Sequence, residues 1–242
     1  MLKIENLKVS YDDFEAISDL SLKVEDGEFV AIIGSSGSGK SSLMKSINLL
    51  VRPKKGRIFI DEKEITSTNF KELRKLRREI GFIFQDYNLI DRLSVIENVL
   101  IGRLGYKSSF ESLLGIFKKE EYKNAMSALE KVGLKEKAFV RADELSGGQK
   151  QRVSIAKVFM QNPKIILADE PVASLDIATS ENIMKYFENI NKKYKISILI
   201  NLHDVSLARK YAKRIVALKK GKIIFDGRGG ELTDDVLRRI YS

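Results

Sequence analysis

Apolar residues along the chain fall into two kinds of run. Phe29, Val30, Ala31, Ile32 and Ile33 follow one another without alternation, as do Ile165–Ala168 and Ile196–Ile200. Such unbroken runs suit parallel strands covered on both faces, so the first of them is expected inside its sheet. Gly81–Phe84 is a shorter apolar strand, and Arg214–Leu218 with Lys222–Phe225 reads as a hairpin around Lys220-Gly221. Residues 2–10 and 20–33 also read as strands, with Asp26-Gly27 turning Leu22-Lys23-Val24 back onto Phe29, and Arg57–Asp61 is a further short one.

Helical spacing occupies the stretches between. Lys40–Leu50 reads as a helix that stops before Pro53. Phe70, Leu73, Leu76 and Ile80 share one helical face, and Lys71, Arg74, Lys75, Arg77 and Arg78 occupy the rest, the pattern of a solvated outer surface. Residues 95–141 are mostly helical, broken at Gly102, Gly105, Gly115 and Gly133, and read as an inserted helical subdomain. Within it Leu113, Leu114, Ile116 and Phe117 are expected to close a small core of their own, the alternative being a partner helix. Pro163 ends a helix that opens near Gln149, and Thr233-Asp234 starts a last short one.

Candidate chemistry sits where these elements meet. Gly34, Ser35, Ser36, Gly37, Ser38, Gly39, Lys40, Ser41 and Ser42 follow a buried strand and open a helix. The glycines let successive N–H groups approach an anion, Lys40 adds positive charge, Ser41 is the expected Mg²⁺ ligand, and the helix N-terminus faces the phosphates. Asp169 and Glu170 end the strand Ile165–Ala168; ligands of open parallel sheets bind beyond the carboxyl ends of the strands, which puts this pair beside the loop. Asp169 is expected to hold Mg²⁺, and Glu170 to orient or deprotonate an attacking water.

Other signals are weaker taken singly. His203, the only histidine, follows a buried strand at the same sheet edge and is either structural or a donor to a γ-phosphate. Gln85 is either a metal or water ligand or a loop residue bonding to backbone. Tyr11 is a strand-end tyrosine or a ring that stacks on a purine. Ser146, Gly147, Gly148 and Gln149 form either a plain helix cap or a second anion site at a helix N-terminus, and Asp176 reads as a helix cap.

The chain has 242 residues, enough for one large domain with a substantial core, and no cysteine. Disulfide scaffolds are thereby excluded, and no window approaches the roughly 18 apolar residues of a membrane-spanning helix. Lys and Arg number 43 against 33 Asp and Glu, a net charge of +10 that suits an acidic partner or simply a solvated basic surface, since the positive residues are spread along the chain.

Taken together and in this order, GSSGSGKSS, Gln85, LSGGQ, IILADEP, SLD and His203 resemble the ATP-binding subunit of ATP-binding cassette (ABC) transporters, over essentially the whole chain. The resemblance implies one α/β domain, 1–242: a P-loop NTPase core with an N-terminal antiparallel β subdomain, over about 1–94 and 142–242. An inserted α-helical subdomain would cover about 95–141 and continue into the helix after LSGGQ. It further implies ATP and Mg²⁺ as cofactors and a head-to-tail homodimer, in which Ser146–Gln149 of one copy close over ATP held by Gly34–Ser42 of the other. By the same matching Tyr11 resembles the adenine-stacking aromatic and Gln85 the residue linking metal to a membrane permease. His203 resembles the γ-phosphate sensor, and Asp176 the residue coupling the two sites. Localisation at the cytoplasmic face of a membrane, indirect service to an extracytoplasmic solute-binding protein and no nucleic-acid partner follow as expectations.

Finer spellings, ENVLIGRLG, SLLGIF, ADEPVASLD and the segment from Asn201 to Gly227, look like the phosphonate-import ATPases, which also serve phosphate or phosphite relatives. Alternatives are the ATPase of an amino-acid importer, a lipoprotein exporter or a cell-wall regulator, or a nucleic-acid-linked cassette. Two departures from the family pattern stand out: Ile177 in place of a common proline and Lys157 in place of a usual arginine.

Overall fold

A computed structural model of the chain describes residues 1–242, the side chain of Phe70 excepted, so the place expected for that ring lies outside the described residues. In chain order the elements are β1 (Leu2–Tyr11), β2 (Phe14–Val24), β3 (Phe29–Ile33), α1 (Lys40–Ile47), β4 (Lys55–Ile60), β5 (Lys63–Glu64), α2 (Phe70–Glu79) and β6 (Ile80–Ile83). Then come α3 (Val95–Leu100), α4 (Ser109–Leu113), α5 (Lys119–Lys131), α6 (Gly147–Gln161), β7 (Ile165–Asp169), α7 (Ile177–Tyr194), β8 (Ser197–Asn201) and α8 (Val205–Tyr211). The chain closes with β9 (Arg214–Lys219), β10 (Lys222–Gly227) and α9 (Asp234–Tyr241).

These strands form two sheets. The first is antiparallel, in the order β2-β1-β4-β5; the second runs β10-β9-β3-β8-β7-β6 and is parallel except for the β9–β10 hairpin. As the unbroken run FVAII requires, β3 is internal, between β8 and β9. Side chains alternate across a strand, so β3 feeds two cores. Val30 and Ile32 pack with Leu43, Met44 and Ile47 of α1 and the apolar side of the antiparallel sheet, while Phe29, Ala31 and Ile33 pack with α3, α5, α6, α7 and α8. Phe29 and Phe187, both fully buried in the second core, are each worth about 2–3 kcal/mol by area removed from water.

Several expectations are corrected. Asp26-Gly27 does not close a hairpin: β2 pairs with β1 (Leu2↔Val24), and β3 belongs to the other sheet. The alternating strand has one wet face and suits an antiparallel partner, whereas FVAII needs cover on both faces. The turn between them is pinned elsewhere, with Gly27 N–H donating to Ser197 Oγ and Asn191 Nδ2 donating to the Gly27 carbonyl. The true hairpin turn, Asp12-Asp13 between Tyr11 and Phe14, went unread. α1 ends at Ile47 rather than Leu50, and Ile80 starts β6 instead of extending α2. Nor is the basic face of α2 merely solvated, because Arg77 donates to the carbonyls of Asn48 and Leu49, and Arg74 to those of Leu104 and Lys107.

The helical stretch is clasped at its neck: Val95 N–H donates to the Val140 carbonyl, Ile96 to Ala138 and Ala142 to Leu93. Its apolar residues, Val95 to Ala138, join the core beneath α6 instead of forming a separate one. The SLLGIF group does not close a core. Leu113, Leu114 and Ile116 are exposed, Leu113 at 85%, and only Phe117 packs inward. Leu113 is the last residue of α4, and Leu114 and Ile116 lie beyond it, so no single helical face gathers the three.

Asn98, fully buried in α3, organises the segment leading into that neck. Its Oδ1 accepts from Ile90 N–H at 2.7 Å, and its Nδ2 donates to the carbonyls of Ile90 and Ser94. Asn98→Ala strands these backbone groups without water, so we expect a loss of about 2–4 kcal/mol, read as an earlier urea midpoint at unchanged slope.

Candidate active site

The carboxyl ends of β3, β7 and β8 lie side by side; β7 and β8 each present polar side chains within two residues of their ends, and β3 leads into a glycine-rich loop. After β3 the chain turns through Gly34–Gly39 into α1. Gly34 has φ 148°, and a Cβ there would meet the Leu218 carbonyl oxygen and lie 2.7 Å from Ser38 Oγ; Gly39 has φ 104°, where the Ala16 carbonyl oxygen is closest. Both positions need glycine twice over, for the backbone angle and for the close approach. Strand β2 and the β9–β10 turn brace the loop from behind, with Gly221 N–H donating to the Ser38 carbonyl and Ser18 N–H to the Gly221 carbonyl.

Lys40 is buried, and its ammonium donates to the carbonyls of Gly34 (2.9 Å) and Ser35 (3.1 Å). Burial pushes the ammonium below the usual lysine range, and the carboxylates of Glu170 and Asp169 oppose that shift. Ser41 Oγ donates to Asp169 Oδ1 at 2.9 Å, and Asn201 Nδ2 donates to the same oxygen at 2.7 Å. Two hard oxygen donors, a hydroxyl and a carboxylate, are thus brought together from β3–α1 and β7, the donor type Mg²⁺ takes when phosphates and water complete its shell. Asn201 was not anticipated. Its signal is a polar residue closing the buried run SILI at the ligand-binding edge.

Glu170 adopts φ 51°, a left-handed backbone that is costly for a residue with Cβ and typical of functional sites. Its Oε1 lies 2.6 Å from His203 Nε2; the imidazole is 48% exposed and the carboxylate 15%. Ser36 to Ser42 and Glu170 line one concavity. Phe14 and Ala16 of β2 also line it, and sequence reading missed both. Tyr11, on the neighbouring end of β1, is 40% exposed and is not among the lining residues.

Other expected site residues stand apart from that concavity. Gln85 is exposed on the loop after β6, with no hydrogen bond to Ser41 or Asp169 among the described residues. Ser146 caps α6: its Oγ accepts from Gln149 N–H, while Gln149 Oε1 accepts from Ser146 N–H at 3.0 Å. None of Ser146–Gln149 lines the concavity at the loop of the same chain. Asp176 caps α7 by accepting from Thr179 N–H at 2.9 Å, and hydrogen bonding from the Thr179 side chain and backbone holds its carboxyl below the usual range. Gly147 and Gly148 are needed for packing as well as for any anion. A Cβ on the first would lie 2.9 Å from Tyr87 Oη and 3.3 Å from Leu175, and one on the second 2.5 Å from Thr179 Cγ2.

Groups suited to a polyphosphate and its counter-ion therefore come from three adjacent parallel strands, the arrangement of a phosphate-loop α/β nucleotide-binding protein. A family model for ABC transporters matches residues 17–173. Phosphonates import ATP-binding protein PhnC 3 of Halalkalibacterium halodurans is 46% identical over 242 residues, covering 100% of this chain and 94% of its own length. Phosphonates import ATP-binding protein PhnC of Lactococcus lactis subsp. cremoris is 45% identical, covering 100% and 98%. Among solved structures, a dimeric ATP-binding cassette in a post-hydrolysis state bound to ADP and Pi superposes with a TM-score of 0.84 at 36% identity, covering 94% of this chain and 98% of that one. A nucleotide-free cassette from an ABC transporter gives 0.87 at 30% identity, with 99% and 96% covered. The chain belongs to the ABC transporter family, as an ATP-binding, ATP-hydrolysing subunit.

Because Gly34 combines a positive φ with a backbone contact, Gly34→Ala must displace the loop or the β9 end beneath it. We expect at least about tenfold weaker ATP binding by calorimetry, with the far-ultraviolet circular dichroism of the sheet retained.

Proposed function

We propose that the chain is the ATP-hydrolysing subunit of an importer for a phosphonate or a phosphate or phosphite relative. It would work as a head-to-tail homodimer beneath integral membrane permease subunits at the cytoplasmic face, with a solute-binding protein on the far side. One observation carries the cargo class: likeness over the whole chain to relatives that are themselves phosphonate-import subunits. No helix among the described residues is long and apolar enough to cross a membrane, so permeation in this reading belongs to other chains.

In the reaction, N–H groups of Gly34–Ser42 and the N-terminus of α1 bind the phosphates, with Lys40 neutralising charge. Ser41, Asp169 and, from its exposed loop, Gln85 would hold Mg²⁺, which when bound supplies charge neutralisation at the phosphoryl oxygens. Asn201 keeps the Asp169 carboxylate oriented through its 2.7 Å bond. Tyr11 stacks on the adenine, and Phe14 walls the entrance beside it. Ser146–Gln149 of the second copy close the cage over the γ-phosphate and exclude water, and Asp176 couples the two sites.

The Glu170–His203 contact gives this chemistry an order. His203 Nε2 lies 2.6 Å from Glu170 Oε1, and a proton carried on that nitrogen would serve one acceptor at a time. A γ-phosphate oxygen that takes this donor releases Glu170 Oε1 to accept a proton from the attacking water. Glutamate is thereby kept occupied until the phosphate it will act on has arrived.

Glu170→Gln should leave ATP affinity within about twofold of the parent while hydrolysis falls at least about 100-fold. In cells, the same substitution should abolish uptake of a labelled phosphonate and spare uptake of a polar amino acid. Uptake of every labelled solute at the parental rate would remove the import reading and leave the ATPase.

A further inference from the structure

The loop after β6 is held from one side along α6. Tyr87 (φ 59°) and Asn88 (φ 50°) are consecutive left-handed residues, and neither is glycine. Such conformations persist only where surroundings over-determine them. Lys157, near the C-terminal end of α6, donates its Nζ proton to the Asn88 carbonyl at 2.8 Å. At the opposite end of the helix, Tyr87 Oη lies where a Cβ on Gly147 would sit only 2.9 Å away. Between Gly147 and Lys157 the helix rises about 15 Å, so the two contacts on the loop are spread over about two thirds of α6. Lys150, between the two points, has its ammonium 3.9 Å from Asp91 just beyond the loop.

Lys157 is half-buried, and desolvation pushes its ammonium below the usual lysine range. The cavity it borders is shared with Arg77, Tyr87, Asn88, Ser154 and Gln161. A half-buried ammonium spent on one backbone carbonyl is an expensive way to fill space. A methionine of similar length would pack there without losing hydration, so the retained charge points to the hydrogen bond.

We propose that Lys157 and Tyr87 are positioning residues that lock the Gln85–Asn88 loop to α6, so that this loop and the Ser146–Gln149 end of the helix move as one body. On the other flank Leu175 and Thr179 press on the same two glycines, Gly147 and Gly148, so the end of α6 is held between the Gln85 loop and the start of α7. A displacement of Gln85 therefore reaches Ser146 through the strap. The inference rests on the reading above, in which Ser146–Gln149 cover the nucleotide of a second copy.

The test uses the full-length chain carrying Glu170→Gln, alone and with Lys157→Met, Lys157→Arg or Tyr87→Ala. ATP is titrated while dimer formation is followed by light scattering, and ADP affinity of each protein is measured by calorimetry. Loss of a charge-assisted hydrogen bond predicts that Lys157→Met needs about tenfold more ATP to dimerise. Its ADP affinity should stay within about twofold, because the bond lies outside the phosphate loop. Tyr87→Ala should behave like Lys157→Met, and Lys157→Arg, which keeps a donor, should return dimerisation to the parental range. Parental dimerisation by Lys157→Met would overturn the proposal, as would a fall in ADP affinity parallel to the dimerisation defect, which marks general damage. If the Glu170→Gln parent itself stays monomeric at saturating ATP, the head-to-tail reading fails and takes this inference with it.

Discussion

The site depends on one buried carboxylate. Asp169 Oδ1 accepts from Ser41 on one side and Asn201 on the other, so a single oxygen ties the carboxyl ends of three parallel strands. Asp169 is 8% exposed, and a carboxyl group so placed needs donors aimed at its oxygens. The electrostatic need of one residue therefore sets the spacing between the phosphate loop, the β7 end and the β8 end, and Glu170 and His203 inherit their 2.6 Å contact from that spacing.

Glycines serve two separate ends in this protein. In the phosphate loop, Gly34 and Gly39 combine positive φ with backbone oxygens close behind them, so the turn is as tight as the chain allows. At the start of α6 they serve interdigitation: Tyr87, Leu175 and Thr179 all press on Gly147 and Gly148. Seen as composition the two clusters look alike. Physically the first shapes a tight backbone turn, and the second lets three segments of one chain meet at the helix end.

Much of this was legible in the residues. The unbroken runs at Phe29, Ile165 and Ile196 announced buried parallel strands, because only residues covered on both faces lack alternation, and strand ends then located Asp169, Glu170 and His203. Asn201 escaped notice because a polar residue closing an apolar run looks like any strand terminus until its partner is known. Phe14 was overlooked for a related reason: the Asp12-Asp13 turn that carries it past the loop was itself unread. Leu113, Leu114 and Ile116 misled in the opposite direction, since adjacent apolar residues in sequence cannot declare whether anything covers them.

What the sequence determined by itself was the set of local elements and the chemistry at their ends, since periodicity, glycine placement and strand-terminal acids act over a few residues. Tertiary structure decided which strands pair, and so that Asp26-Gly27 joins two sheets instead of closing a hairpin. It also decided that Ser41, Asp169 and Asn201 share an oxygen, and that Lys157 reaches across to Asn88. These are contacts between residues 69 to 128 positions apart or between neighbouring strands, and their existence depends on how whole faces are buried against one another. No local preference encodes that; the packing of two cores around one internal strand does.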